Sequence, residues 1–452
     1  MVLLLILVGL VAFIVVATTV LRIHPFLALI VAAFLAAVAY GMPLTDIPKS
    51  IGEGFGTILG QIGIVIVLGT IIGVILERTG AAIAIAQWII RLLGERFPTL
   101  TVSLIGYLVS IPVFCDSGYV ILNSLKDAIA ERLKVSVVAM SIALATGLYA
   151  THTFVPPTPG PIAAAGNLGL TNLGLLIALG LIVALVSAAA GMLWANRYLS
   201  REVPLLSESD RLGVVEDADA AVQEERGASL SAGASFAPIV VPIILICLGS
   251  VAGLPSSPVG DGPLSAFVKF IGQPITALLI GLACATLLIR GKSKLAALNR
   301  YVVDGILAAA PIILITGAGG AFGAILRAAP IGDYLGETLL RYNVGLAAPF
   351  IIAAGLKTAQ GSTTVSLVAT SALIAPLLGP LGYESDMGRA LVVLAIGAGA
   401  ITVSHANDSF FWVVSQFSRM PVATALRTFT TATLVQGIAG FATVYLLSFV
   451  LL

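Results

Sequence analysis

The chain has 452 residues, of which 59% are hydrophobic and only 10% charged, and its formal net charge is +1. A soluble domain carries roughly 25% charged residues, so this composition excludes a protein that faces water all round. The near-neutral balance also gives no electrostatic footprint for nucleic acid, and no nucleic-acid partner is expected.

The apolar residues come in long runs, beginning with residues 2–20 and 26–39 and recurring over 173–194. Each is close to the ~20 residues a helix needs to cross about 30 Å of hydrocarbon. The runs are evenly apolar, with charges in the gaps, which favours spanning helices over the alternating strands of a barrel. Arg22, His24 and Pro25 follow the first run where a signal peptide would place small residues. That run is therefore expected to stay as the first span.

Two membrane halves, residues 1–195 and 236–452, flank a polar stretch over 196–235. Four arginines (197, 201, 211 and 226) stand there against eight acids, among them Glu202, Asp210, Asp217 and Glu225. This reads as a solvated linker. The basic cluster Arg290, Lys292, Lys294 and Arg300 places its own loop in the cytoplasm under the positive-inside rule. Two apolar spans, about 236–254 and 267–289, separate that loop from the linker, and the turn between them carries Asp261 and no basic residue. The linker is thus also expected in the cytoplasm, and the N-terminus outside. The three cysteines (Cys115, Cys247 and Cys284) have no metal-ligand spacing, so no metal site is expected.

Three markers recur in the same order in both halves. Val74–Gly80 resembles Ala324–Pro330, Phe114–Val120 resembles Ala359–Val365, and Ala150–Phe154 resembles Val403–Asn407. Corresponding interrupted segments in two halves point to a transporter's binding site.

Four segments put polar or helix-breaking residues inside apolar surroundings. In the first, Pro112 and Gly118 interrupt a helix around Asp116, with Asn123 and Ser124 continuing its polar face. A charged Asp costs at least ~2.5 kcal/mol at membrane depth, so Asp116 is either functional or in an external turn. The second, Thr151–Pro161, has four prolines and a glycine after His152 and must leave the regular helix. Such backbone survives at membrane depth only when buried in protein or lining a cavity. A lone histidine is more often a satisfied hydrogen-bonding group than a proton carrier; the matching His405 is what raises His152 above that. In the third, Gly361 precedes Ser362, Thr363 and Thr364 as a hairpin tip opening a helix, whose hydroxyls and N–H groups suit a carboxylate. Lys357 beside it either snorkels to the interface or supplies a counter-charge for the anion or for an acid. The fourth clusters Ser404, His405, Asn407 and Asp408 before Phe410, Phe411 and Trp412, an aromatic triplet that is core or an interfacial belt. No phosphate loop, nucleophile elbow or zinc-binding helix is present, so neither enzyme activity, ATP coupling nor a cofactor is expected.

At these motifs the sequence resembles the gluconate permease (GntP) family of bacterial proton symporters. The matching residues are Phe114, Asp116, Gly118 and Val120; Thr151, His152, Phe154, Pro156, Pro157, Pro159, Gly160 and Pro161; Gln360, Gly361, Ser362, Thr364 and Val365; and Ser404, His405, Asn407, Asp408, Phe411 and Trp412. The resemblance implies an all-α polytopic protein of the ion-transporter superfamily. Two inverted repeats, each with a re-entrant hairpin and a broken helix, are expected in a homodimer with a static scaffold and a mobile elevator unit. It also implies a bacterial inner-membrane location, proton coupling, and gluconate or a related small hydroxy-carboxylate as substrate. Glycerate and D-serine carriage within the family, and sodium coupling as in related folds, stay open.

On that reading the carboxylate sits between Ser362–Thr364 and a turn at Pro156–Pro161, taken as the two hairpin tips. Asn407, Asn123, Thr151 and Ser404 would read its hydroxyls. Asp116, His152, His405 and Asp408 are the candidate proton carriers, with Asp116 first because burial disfavours a charged carboxylate.

Overall fold

A computed structural model describes residues 2–93, 96–198, 230–253, 260, 262–291, 293–329, 345–406 and 408–452. Most of the polar stretch 196–235, together with Asp261, Lys292, Pro330 and Asn407, lies outside the described residues. Among those described, every regular element is helical. Six helical segments are long and apolar enough to cross a membrane, or seven if one bent pair counts as a span.

The N-terminal half begins with α1 (Val2–Thr19) and α2 (Pro25–Ala39), an apolar pair in which His24 caps α2 by accepting from Phe26 N at 3.3 Å. Next come α3 (Ile47–Arg78), of 32 residues, and the shorter α4 (Ala81–Leu93), whose amphipathic sequence is largely buried. Helix α5 (Pro98–Val109) has 12 residues, roughly 18 Å at 1.5 Å per residue, and is too short to cross a bilayer. The chain turns at residues 110–114 around Pro112 and returns as α6 (Cys115–Leu133), so α5 and α6 form the first re-entrant hairpin. Helix α7 (Val137–Phe154) is buried from Val138 to Phe154; it stops at the proline run and resumes as α8 (Pro159–Asn167), also fully buried. Then α9 (Leu173–Ala195) crosses back, capped by Asn172, which accepts from Leu175 N at 3.0 Å.

The C-terminal half opens with α10 (Ala232–Ala252), α11 (Pro263–Ile271) and α12 (Pro274–Thr286). Its repeat then starts at α13 (Lys294–Ala328) and continues through the hairpin of α14 (Ala347–Gln360) and α15 (Thr363–Ile374). The second broken helix is α16 (Asp386–Ile401) and α17 (Ser409–Phe417), followed by α18 (Val422–Ala425), a π turn at Leu426–Thr430 and α19 (Thr431–Leu451). Element by element, α3, α5–α6, α7–α8 and α9 match α13, α14–α15, α16–α17 and α19. The first members run antiparallel: Arg78 at the end of α3 pairs with Asp304 near the start of α13 at 4.0 Å. At the other end Gly54 of α3 packs on Gly320 and Ala321 of α13. The repeats are therefore inverted.

Small residues let these helices close. Between α5 and α7, a Cβ at Gly147 would lie 2.1 Å from Ser103 O, and one at Gly106 would lie 2.6 Å from Leu144 O. With lipid as apolar as the core, such close van der Waals packing is what joins helices in a membrane.

Candidate functional site

Three helix N-termini converge on one cavity of about 270 Å³: Cys115 and Asp116 open α6, Thr363 and Thr364 open α15, and Ser409 and Phe410 open α17. Tyr149 and His152 of α7 and Gln360, Gly361, Ser362 and Asp408 complete the lining. A helix start presents N–H groups without intrahelical partners and the positive end of the helix dipole, which together favour an anion. Two of the three starts carry a carboxylate of their own, Asp116 and Asp408. The start of α15 carries only hydroxyls.

Each break has a local cause. Gly361 ends α14 at φ 85°, a left-handed conformation open to glycine at little cost, and Ser362 then caps α15 by accepting from Val365 N at 3.3 Å. Beyond α16, Val403 is held at φ 53°, uncommon for a β-branched residue. Ser404 is pinned next to it, donating through N to Thr433 Oγ1 at 3.0 Å while its carbonyl accepts from Thr430 Oγ1 at 2.6 Å. Asp408 caps α17 by accepting from Phe410 N at 3.1 Å.

Asp408 is also the hub of a buried network. Its Oδ2 lies 2.6 Å from Lys357 Nζ and accepts from Ser404 Oγ at 2.5 Å and from the Tyr149 hydroxyl at 3.2 Å. That hydroxyl is 2.5 Å from Thr363 Oγ1, and Lys357 Nζ donates as well to Gly361 O. Hairpin tip, broken helix and α7 are thus tied through one carboxylate. Lys357 is fully buried, so it does not snorkel; it is the counter-charge of Asp408.

Other groups facing the cavity are unspent. Asp116 Oδ1, His152 Nδ1 and both amide atoms of Gln360 are buried without a hydrogen-bond partner among the described residues. Asp116 stands in this internal cavity, not in an external turn, and the His152 ring lies against Phe114 with centroids 5.8 Å apart.

The structure brings together Asp116, His152, Gly361, Ser362, Thr363, Thr364 and Asp408. Besides Lys357, which is held by Asp408, four other sequence candidates fall outside the lining. Thr151 is buried behind it, Ser404 reaches it only through Asp408, and His405 Nε2 pairs with Thr358 O at 2.9 Å. Asn123 sits two turns along α6, donating to Asp127 Oδ2 at 3.3 Å. Asn407 lies outside the described residues. The Pro156–Pro161 turn is not a hairpin tip: it is the break between α7 and α8, and the first tip is the turn at 110–114. Pro156 and Pro157 line a separate apolar cavity with Pro112, Pro238 and Pro242, where proline's missing N–H needs no partner. Phe410 and Phe411 are core residues, not an interfacial belt. Sequence reasoning missed Tyr149 and Gln360 as site residues; Gln360 precedes the hairpin glycine, and Tyr149 lies one turn before His152.

A larger cavity of about 570 Å³ lies at the far end of α8. Its two arginines are engaged with that helix end, Arg389 donating to Gly169 O at 2.5 Å and Arg327 to Asn167 O at 3.4 Å. The convergent helix starts and unspent polar groups make the smaller cavity the candidate site.

The description GntP family permease matches residues 1–450. The chain belongs to this family. Similar relatives are the gluconate permease of Pseudomonas aeruginosa, 34% identical over 95% of this chain and 94% of that one, and the D-serine transporter DsdX of Escherichia coli, 33% identical over 95% and 94%. The inner membrane permease YgbN of E. coli is 32% identical over 93% and 92%. Among solved structures, the Alcanivorax borkumensis YdaH transporter aligns with a TM-score of 0.68 at 15% identity, covering 95% of this chain and 99% of that one. This family member is therefore a polytopic membrane transporter whose fold is shared with YdaH.

Proposed function

We propose that this GntP family transporter is a proton-coupled symporter importing gluconate or a related small hydroxy-carboxylate across the bacterial inner membrane. The observation that carries the reading is the start of α15, free of acidic residues and sharing the cavity with Asp116, whose buried Oδ1 has no hydrogen-bond partner among the described residues. The substrate carboxylate binds the N–H groups and hydroxyls at Ser362, Thr363 and Thr364. The Gln360 amide, both of whose polar atoms are unspent, reads a substrate hydroxyl.

Asp116 supplies the coupling. Ionised, it repels an anion entering the cavity; protonated, it does not, and its new O–H becomes a donor. Proton and substrate then favour each other's binding by the same factor, as linkage requires. His152, with Nδ1 unspent, is the second proton site, while Asp408 is occupied by four donors and holds the architecture.

One observation favours a second reading. A carboxylate with one oxygen unspent among the described residues, in the same cavity as an anion-binding helix start, also suits a zwitterion, its ammonium on Asp116 and its carboxylate on α15, and a D-serine transporter is among the relatives. Uptake of gluconate, glycerate, a ketogluconate and D-serine into proteoliposomes, with and without an inward proton gradient, separates the two. Gradient-dependent accumulation of a hydroxy acid is expected. Accumulation of D-serine alone moves the zwitterion reading to the front, and uptake that responds to sodium and not to protons overturns the coupling.

A further inference from the structure

A polar cavity of about 290 Å³ lies where α11, α12 and α16 meet, away from the candidate site. Asp386, which opens α16, lines it; that helix has 16 residues, so the break leading to Asp408 is roughly 24 Å off. Lys269, in the last turn of α11, lines the same cavity. Among the described residues neither side chain has a hydrogen-bond or ion-pair partner, and the two do not pair with each other. Gln273 and Pro274 bring the start of α12 to this space. The Gln273 side chain makes no capping bond, so the first N–H groups of α12 stay open to a ligand.

Helix α11 sets the depth. Leu264, Phe267 and Phe270 share one side of it and are each more than half exposed, while Lys269 and the buried Ser265, four residues apart, share the other. Such a helix lies in the plane of the membrane interface with its apolar side toward the acyl chains. Its end is held against α10, where a Cβ at Gly272 would lie 2.4 Å from Gly249 Cα. The cavity thus sits at head-group level and offers a cation and a helix start beside a carboxylate. The helix that bounds it turns its phenylalanines to the lipid.

We propose that this cavity binds the head group of a zwitterionic phospholipid bearing a primary amine, such as phosphatidylethanolamine. The phosphate lies on Lys269 and the first N–H groups of α12, and the ammonium donates to Asp386. A choline head has no N–H to donate and a glycerol head has no cation, so the pairing selects for the amine. The bound lipid ties α11 and α12 to the start of α16, the first arm of the second broken helix.

The test is native mass spectrometry of the full chain in detergent, titrated in parallel with phosphatidylethanolamine, phosphatidylglycerol and phosphatidylcholine of the same acyl chains. Phosphatidylethanolamine is expected to bind about fivefold more tightly than either of the others. Asp386→Asn removes that preference and leaves phosphatidylglycerol binding as it was. Lys269→Gln weakens phosphatidylethanolamine about fivefold, and both variants keep the wild-type unfolding temperature in lipid-free detergent. Equal binding of the three lipids, or a preference that survives Asp386→Asn, overturns the proposal. Displacement of the lipid by millimolar free phosphoethanolamine overturns its lipid assignment and leaves a site for the soluble head group.

Discussion

Lys357 Nζ and Asp408 Oδ2 stand 2.6 Å apart with almost no access to water. Removing one partner of such a pair strands a buried charge, at a cost of about 3–5 kcal/mol. Lys357→Met and Asp408→Asn are each expected to lower the unfolding temperature of the purified protein sharply, and the double variant to lie nearer wild type than either. Two silent single variants would show that the pair is not a structural tie. Asp116→Asn tests a different role. It is expected to keep substrate counterflow, which needs no gradient, and to lose accumulation driven by pH; preserved pH-driven accumulation sinks the assignment of Asp116 as proton carrier. Asp116, His152 and the 361–364 tip were legible because polar residues inside apolar runs are costly unless used. Tyr149 gave no such signal, since a tyrosine in an apolar helix reads as core until its hydroxyl is seen 2.5 Å from Thr363 Oγ1. Nor could spacing alone tell that Lys357 would be consumed by Asp408.

Glycine decides two features at the scale of the helix and the hairpin. At Gly361 the left-handed φ of 85° closes the second hairpin. Gly361→Ala is expected to cost about 1–2 kcal/mol and to weaken substrate binding, because the tip positions Ser362–Thr364. Equal stability and affinity in that variant would show that the tip tolerates another backbone path. Between α5 and α7, Gly147→Val places carbon atoms inside the van der Waals shell of Ser103 O. The first hairpin is then displaced, and loss of uptake with poor expression is the expected result. Hydropathy revealed most helices, and Gly361 marked the second re-entrant tip, whereas Pro112 read only as a break in the helix around Asp116. The proline run 156–161 was misread because a broken helix and a hairpin tip make the same demand, a buried escape from regular hydrogen bonding. Residues 267–289 were expected as one span. They form α11 and α12, bent by 66°, because Pro274 begins a new helix and Gly272 packs against Gly249.

Orientation belongs to the whole molecule. Leu230, just beyond the acidic stretch, lines the same cavity as Arg290, and Asn196, just before it, accepts from Thr99 Oγ1 at 2.7 Å. Both ends of that stretch thus lie at the end of the bundle where α5 and α13 start. Arg78, Arg132, Lys134, Arg197, Arg290, Lys294 and Arg300 belong to the same end, following the alternating course of the helices. The opposite end, where α8 stops and α16 begins, has Lys269, Arg327 and Arg389 with Glu384 and Asp386. The basic excess predicts that the first end is cytoplasmic. Ser207→Cys and Glu384→Cys then report on opposite sides of the membrane. With a membrane-impermeant thiol reagent, Glu384→Cys is expected to react in intact spheroplasts, and Ser207→Cys only in inverted vesicles. The three native cysteines contribute little, being buried or half-buried. The reverse pattern inverts the orientation without touching the fold. Labelling of both positions from one side would contradict the inverted topology, because it requires an odd number of crossings between the linker and α16.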